Sequence, residues 1–176
     1  MVTVSGYVYR GRKFSVRISE HMLPSGRRAS VEIVEYAGAV AVLPLLDGDS
    51  AVLVRQYRPV IGSWIYEVPA GTLTPGEKPD DCAFRELEEE TGYRAGRLVK
   101  MFEMYTAPGY STEMLHSYLA EGLVQGEASL EEDEELNVVV VPLDRTVEMI
   151  RKNEIRDGKT IATILYYIEN KSVVKK

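Results

Sequence analysis

From Phe14 the chain alternates between apolar and polar residues. Phe14, Val16 and Ile18 are separated by polar neighbours, and Val31 with Ile33 or Val34 repeats the pattern. Period-two alternation predicts half-buried strands, and Pro24–Gly26 between them supplies a turn. A sheet this small buries little apolar surface by itself. Residues 1–36 are therefore expected to pack against the body of the chain, residues 37–176, or against a second subunit. Next, two apolar runs flank Asp47-Gly48-Asp49, a hairpin signal. A short strand ending in a loop is expected at Trp64–Gly71, and further strands at Leu98–Tyr105, Met114–Ala120 and Leu136–Val141. Helical periodicity covers Pro79–Thr91, with Pro79 suited to the first turn and Gly92 to the residue just past the end. Two more helices are predicted at roughly Asp144–Asn153 and Lys159–Asn170, the second preceded by Asp157-Gly158. The pattern is that of a mixed α/β chain with helices packed on a largely β body.

Composition narrows the class. The chain has 176 residues, 45% hydrophobic and 27% charged, ordinary values for one globular domain with a small appendage. Its net charge of −6 argues against non-specific nucleic-acid binding. A polyanionic substrate would need local cations or a bound metal. The single cysteine, Cys82, excludes an internal disulfide and suits a reducing, cytoplasmic location. No apolar run approaches the ~18–20 residues of a membrane helix, and the N-terminus lacks the apolar run of a signal peptide.

The helix at Pro79–Thr91 carries an unusual charge load. Glu86, Glu89 and Glu90 fall within an arc of about 100°, while Glu88 points roughly the opposite way. Ala83, Phe84, Leu87 and Thr91 are expected to form the adjacent apolar face. Like charges at spacings of three and four destabilise a helix, and glutamates in its last turn oppose the macrodipole. Only Arg85 is close enough to compensate. A solvated acidic face would be the bland explanation, but a divalent cation removes both penalties. Clustered hard oxygen donors suit Mg²⁺, with Mn²⁺ as a substitute.

The spacing then becomes specific. Gly71, Glu77, Arg85-Glu86-Leu87, Glu89-Glu90 and Gly92-Tyr93 match every defined position of the pattern G-x5-E-x7-R-E-U-x-E-E-x-G-U, where U is bulky and apolar. The chain thereby resembles the Nudix hydrolase family. The resemblance implies an α/β/α sandwich with a mixed sheet, here with a small N-terminal antiparallel β-sheet added. It implies hydrolysis of a nucleoside diphosphate linked to another group. By the same resemblance the metal ligands are Glu86, Glu89, Glu90 and the carbonyl of Ala70. Arg85 would orient a glutamate, Glu77 would be structural, and Gly71 and Gly92 would permit the loop turns.

Other stretches resemble the ADP-ribose pyrophosphatases within that family. They are "RQYR" from Arg55 to Arg58, "EVPAG" ending at Gly71, and "APGYSTE" from Ala107 to Glu113. The similarity implies substrate contacts by Arg55, Arg58, Glu113, Pro108 and Gly109. Arg55 and Arg58 could equally be strand-surface arginines, and Pro108-Gly109 a plain turn. Tyr57 and Tyr66 suit either the core or stacking on adenine; His21 and His116 read as structural. The resemblance also implies a homodimer that shares the N-terminal segment, and a glutamate in a loop before the last strand that activates water. Glu132 and Glu134, within a second acidic cluster, fit that role equally well. Rival readings are a Nudix enzyme for another nucleotide sugar or an oxidised nucleoside triphosphate, and a non-catalytic nucleotide sensor. An intact set of metal-site glutamates argues against the sensor.

Overall fold

The computed structural model describes residues 6–130 and 135–174. Among them are a three-stranded sheet, a seven-stranded mixed sheet and three helices. Strands β1 (Gly6–Arg10), β2 (Phe14–Met22) and β3 (Arg28–Tyr36) form an antiparallel sheet in the order β1-β2-β3. Gly26 turns the second hairpin at φ 78°, a backbone region that glycine reaches without strain. Val34 ties this sheet to the body: its N–H donates to the Tyr110 carbonyl at 2.8 Å, and its carbonyl accepts from Thr112 N–H at 3.0 Å.

The main sheet is built on β4 (Ala39–Leu46) and β5 (Ser50–Arg58), joined by the expected tight turn. Strand β4 is buried almost end to end. Ala39, Ala41, Leu43 and Leu45 enter one core with Ile164 and Tyr167, while Val40 and Val42 enter another with Cys82, Ala83 and Leu87. A strand covered on both faces reads as a continuous apolar run rather than an alternation. The first core lies under α2 (Leu143–Arg151) and α3 (Gly158–Val174), the second under α1 (Pro79–Thr91). The architecture is the α/β/α sandwich expected from the sequence.

Strands β4 and β5 pair only at their turn end, through Leu45 with Ala51 and Leu46 with Ser50. Beyond that they splay. The free edge of β4 is taken by β7 (Ala70–Thr72) and that of β5 by β6 (Ser63–Glu67). The strand expected from Trp64 is β6, and a second short strand, β7, begins where a loop was expected. The break falls at Val68-Pro69, where proline has no N–H to give a ladder. On its other edge β4 runs parallel to β10 (Met114–Glu121), which pairs antiparallel with β9 (Arg97–Tyr105). Strand β12 (Leu136–Pro142) closes the far side against β5, and β8 (Tyr93–Arg94) makes a small ladder with β11 (Val124–Gln125).

Helix α1 has the expected bounds. Gly92 ends it in the left-handed conformation, φ 71°, donating to the Glu88 carbonyl at 2.8 Å, the usual glycine stop. One assignment on its apolar face needs correction. Phe84 is 43% exposed, and Cys82 takes the buried place beside Ala83 and Leu87. The buried stripe is displaced by part of a turn because the carboxylate flank also packs inward, against β7. Helix α3 runs past Asn170, where the backbone kinks. Leu87→Ala should therefore cost about 2–5 kcal/mol of stability, whereas Phe84→Ala should stay within about 0.5 kcal/mol. Urea unfolding of the two variants checks this.

Candidate active site

A cleft of about 1030 Å³ opens where the main sheet splays, between β7, the first half of the α1 loop and the start of α3. Its floor is set by one close approach. A Cβ on Gly71 would lie 1.9 Å from the Glu86 carboxyl carbon, so only glycine lets that carboxylate rest against the β7 backbone. Gly71 is needed for this contact rather than for the loop turn expected of it. On the next turn, the Ala70 N–H donates to Glu90 Oε2 at 3.2 Å, and Glu90 is buried. Glu86 and Glu89 line the cleft beside them.

Arg85 organises these groups. Its Nη1 donates to Glu86 Oε1 at 2.7 Å and Glu89 Oε2 at 2.8 Å, and its Nε and Nη2 donate to the two oxygens of Glu77 at 2.9 and 3.1 Å. Glu77 also accepts from the Thr74 N–H at 2.9 Å, so the loop before α1 is tied to the same guanidinium. The Arg85 hydrogen bonds hold the Glu77 carboxyl down from its ordinary 4.5 to about 2. Burial pushes the neighbouring Cys82 thiol up to about 12, which keeps it protonated and unreactive. Among the described residues no three carboxylate, imidazole or thiolate groups close around one point. The donors facing the cleft from α1 and β7 are nonetheless all hard oxygens.

A second charged group stands across the cleft. Glu67, at the end of β6, is 1% exposed and accepts from Arg58 Nε at 2.7 Å and Nη2 at 2.8 Å. Lys159 also donates to Glu67 Oε2, and its Nζ lies 3.0 Å from Asp157. Burial works against the Glu67 charge, but Arg58 and then Lys159 outweigh it and lower its pKa.

Of the expected site residues, Arg58, Ala70, Arg85, Glu86, Glu89 and Glu113 line the cleft. Glu113 accepts from the Thr106 hydroxyl there. Arg55 and Tyr57 do not line it. The Arg55 guanidinium lies 5.2 Å from the Trp64 ring centroid, and Tyr57 packs on the same ring at 5.8 Å. Pro108 and Gly109 form a turn closed by the Tyr110 N–H on the Ala107 carbonyl at 3.1 Å, away from the cleft wall. Glu132 and Glu134 lie outside the described residues. The segments flanking them are placed: Ser129 N–H donates to the Glu89 carbonyl at 2.9 Å, and Tyr57 N–H to the Glu135 carbonyl at 2.9 Å. Sequence reasoning did not pick out Arg12, Lys13, Asp157 and Lys159 as cleft residues. Arg12 and Lys13 sit in the β1–β2 turn, and no local pattern carries that long-range placement.

A mixed-sheet sandwich with a loop–helix–loop presenting carboxylates to the splayed edge defines the fold class that the sequence pattern resembles. The chain belongs to the Nudix family: the NUDIX domain model matches residues 35–164. It is 38% identical to an ADP-ribose pyrophosphatase of Bacillus subtilis strain 168, over 90% of this chain and 87% of that protein. It is 37% identical to a methanol dehydrogenase activator of Bacillus methanolicus with the same coverage. It is 39% identical to a GDP-mannose pyrophosphatase of Salmonella typhimurium, over 73% and 72%. The crystal structure of an ADP compounds hydrolase aligns with a TM-score of 0.83 at 25% identity, covering 95% of this chain and 91% of that one.

The Glu77–Arg85 pair gives a pH signature. A carboxyl whose folded pKa is depressed adds stability above its unfolded pKa and loses it as pH falls through the folded value. Glu77→Gln should be less stable than the parent at pH 7. That gap should shrink as pH falls from 4.5 towards about 2, as thermal unfolding at a series of pH values would show.

Proposed function

We propose that the chain hydrolyses the diphosphate bond of ADP-ribose, or of a closely related nucleoside diphosphate sugar, giving AMP and ribose 5-phosphate. The observation that carries this reading is the Glu86 carboxylate seated on the Gly71 backbone, with Glu90 on the Ala70 amide and Glu89 joined through Arg85. The relatives support the substrate class. Glu86, Glu89, Glu90 and the Ala70 carbonyl suit a divalent cation, Mg²⁺ with Mn²⁺ as a substitute, because all are hard oxygen donors. Such a cation neutralises a diphosphate and lowers the pKa of a bound water.

The chain's own residues do the rest. Arg85 holds two of the ligand carboxylates in place before the substrate arrives. Arg58 binds the phosphates, and Glu113, on the opposite wall, holds the distal part of the substrate; both are positioning effects. A glutamate of the acidic loop, Glu132 or Glu134, takes the proton of the attacking water. The helix glutamates are poor candidates for that step, being committed as ligands. We also read the molecule as a cytoplasmic homodimer in which residues 1–36 serve as the shared arm. Exposed Tyr7, Val8, Tyr9 and Phe14 on the small sheet support a covering partner.

The purified chain with Mg²⁺ should release AMP from ADP-ribose faster than it cleaves GDP-mannose or an oxidised nucleoside triphosphate. Turnover of GDP-mannose alone would move the reading to that sugar nucleotide. Glu90→Gln should lower kcat by at least ~100-fold, about 2.7 kcal/mol in the barrier, and EDTA should abolish activity. Full activity in either condition would remove the metal assignment.

Glu132→Gln and Glu134→Gln should separate. One should lose at least ~100-fold in kcat, the scale of a general base, with metal affinity nearly unchanged, and the other should stay within a few-fold. Normal kcat in both across the pH profile would place the base elsewhere, with Glu67 and Glu113 next to be tried.

A further inference from the structure

We propose that Lys159 is a positioning residue: it keeps the buried Glu67 carboxylate paired while Arg58 turns from Glu67 to the substrate's diphosphate. This rests on the reading above that Arg58 meets the phosphates.

Glu67 is 1% exposed, so no solvent compensates its charge. A carboxylate offers about four acceptor sites, and Arg58 fills two of them with a bidentate pair. Lys159 adds a third donor to Glu67 and pairs with Asp157 as well, so Glu67 keeps a cation if Arg58 leaves. The position of the lysine would be unfavourable in isolation. Lys159 lies in the first turn of the 17-residue helix α3, where the macrodipole repels positive charge. Asp157 at the start of α3 offsets that field, and Lys159 spans it and Glu67.

The two cations differ in freedom. Lys159 is fixed by its surroundings. Its side chain is 19% exposed, and its Nζ sits between Glu67 and Asp157. Asp157 caps α3, accepting from the Thr160 N–H at 2.9 Å and its hydroxyl at 2.6 Å. The Thr160 hydroxyl oxygen in turn accepts from the Val68 N–H at 2.9 Å, next to Glu67. Arg58 is the last residue of β5, ahead of the exposed Val60–Ile61 turn, with a side chain 38% exposed towards the cleft. A guanidinium matches a diphosphate as well as it matches a carboxylate. Leaving Glu67 with no partner would strand a buried charge, which is strongly disfavoured. With Lys159 in place Glu67 keeps a cation during the exchange, shared with Asp157.

A double-mutant cycle tests this. The probe is inorganic pyrophosphate with Mg²⁺, its Kd read by calorimetry on the full chain so that turnover is not required. Lys159→Met should raise the Kd about 10-fold, and Lys159→Arg should restore it to within about twofold. In a Glu67→Gln background, where there is no charge left to hold, Lys159→Met should change the Kd by less than about twofold. If Glu67→Gln does not fold, Glu67→Met, which leaves no buried polar group to satisfy, provides the second background with the same expectation. An equal loss in both backgrounds would mean that Lys159 touches the phosphates itself and would overturn the proposal. So would an unchanged Kd in Lys159→Met, or a parent chain that does not bind the probe. A cycle that holds in a chain that hydrolyses neither ADP-ribose nor GDP-mannose would leave this inference standing and remove the substrate assignment alone.

Discussion

The cleft depends on how one guanidinium is shared. Glu77, Glu86 and Glu89 would repel one another at the distances the loop and helix impose, and Arg85 bonds all three. One edge of the fork grips Glu77 and the remaining nitrogen bridges the two helix carboxylates. The planar geometry matters: a lysine ammonium is a point charge and could not present parallel donors to Glu77 while reaching the other pair. Because Glu77 also anchors Thr74, loop and helix are held by the same group. The carboxylates are oriented by the protein itself, so little ordering remains to be done on binding.

That orientation would be useless without the splay of β4 from β5. Were the two strands paired along their length, β7 would have no edge to join, and the Ala70–Gly71 backbone would not face α1. The double burial of β4 makes the splay tolerable, since helices cover both faces of the strand. The missing Cβ at Gly71 then sets the depth at which Glu86 sits. Sheet topology, one glycine and one arginine act together on the helix carboxylates, and the most buried of these, Glu90, is held by the Ala70 amide of β7.

Much of this was legible in the sequence. The bounds of α1, the hairpin at Asp47-Gly48, the small N-terminal sheet and the loop–helix–loop spacing all follow from local rules, and the structure bears them out. What was not legible depends on partners. The loop expected at the end of Trp64–Gly71 becomes a strand because β4 offers it an edge. Phe84 and Cys82 flank one apolar stripe, and periodicity alone does not say which edge is buried. The two arginines of "RQYR" are a case where the information was present. On a strand, positions three apart face opposite sides, so Arg55 and Arg58 could not both enter one cleft. Arg55 turns to Trp64 instead. The Glu67–Lys159 contact joins residues 92 apart in sequence, and no local pattern carries it.

The two charge groups that line the cleft are built alike but are not equivalent. Each gathers carboxylates on an arginine, with Glu67 buried in one and Glu89 40% exposed in the other. Arg85 answers three carboxylates, and its removal would leave all three without their shared cation. Arg58 bonds one, Glu67, which Lys159 also bonds, and the charges of Glu90 and Asp157 lie nearby. An arginine held by several acceptors is structural in effect, because no single ligand can compete for it. An arginine whose acceptor has a second partner can be drawn away at small cost. On the proposal above, Arg58 is the one of the two that moves to an incoming anion, while Arg85 stays in place to hold its three carboxylates.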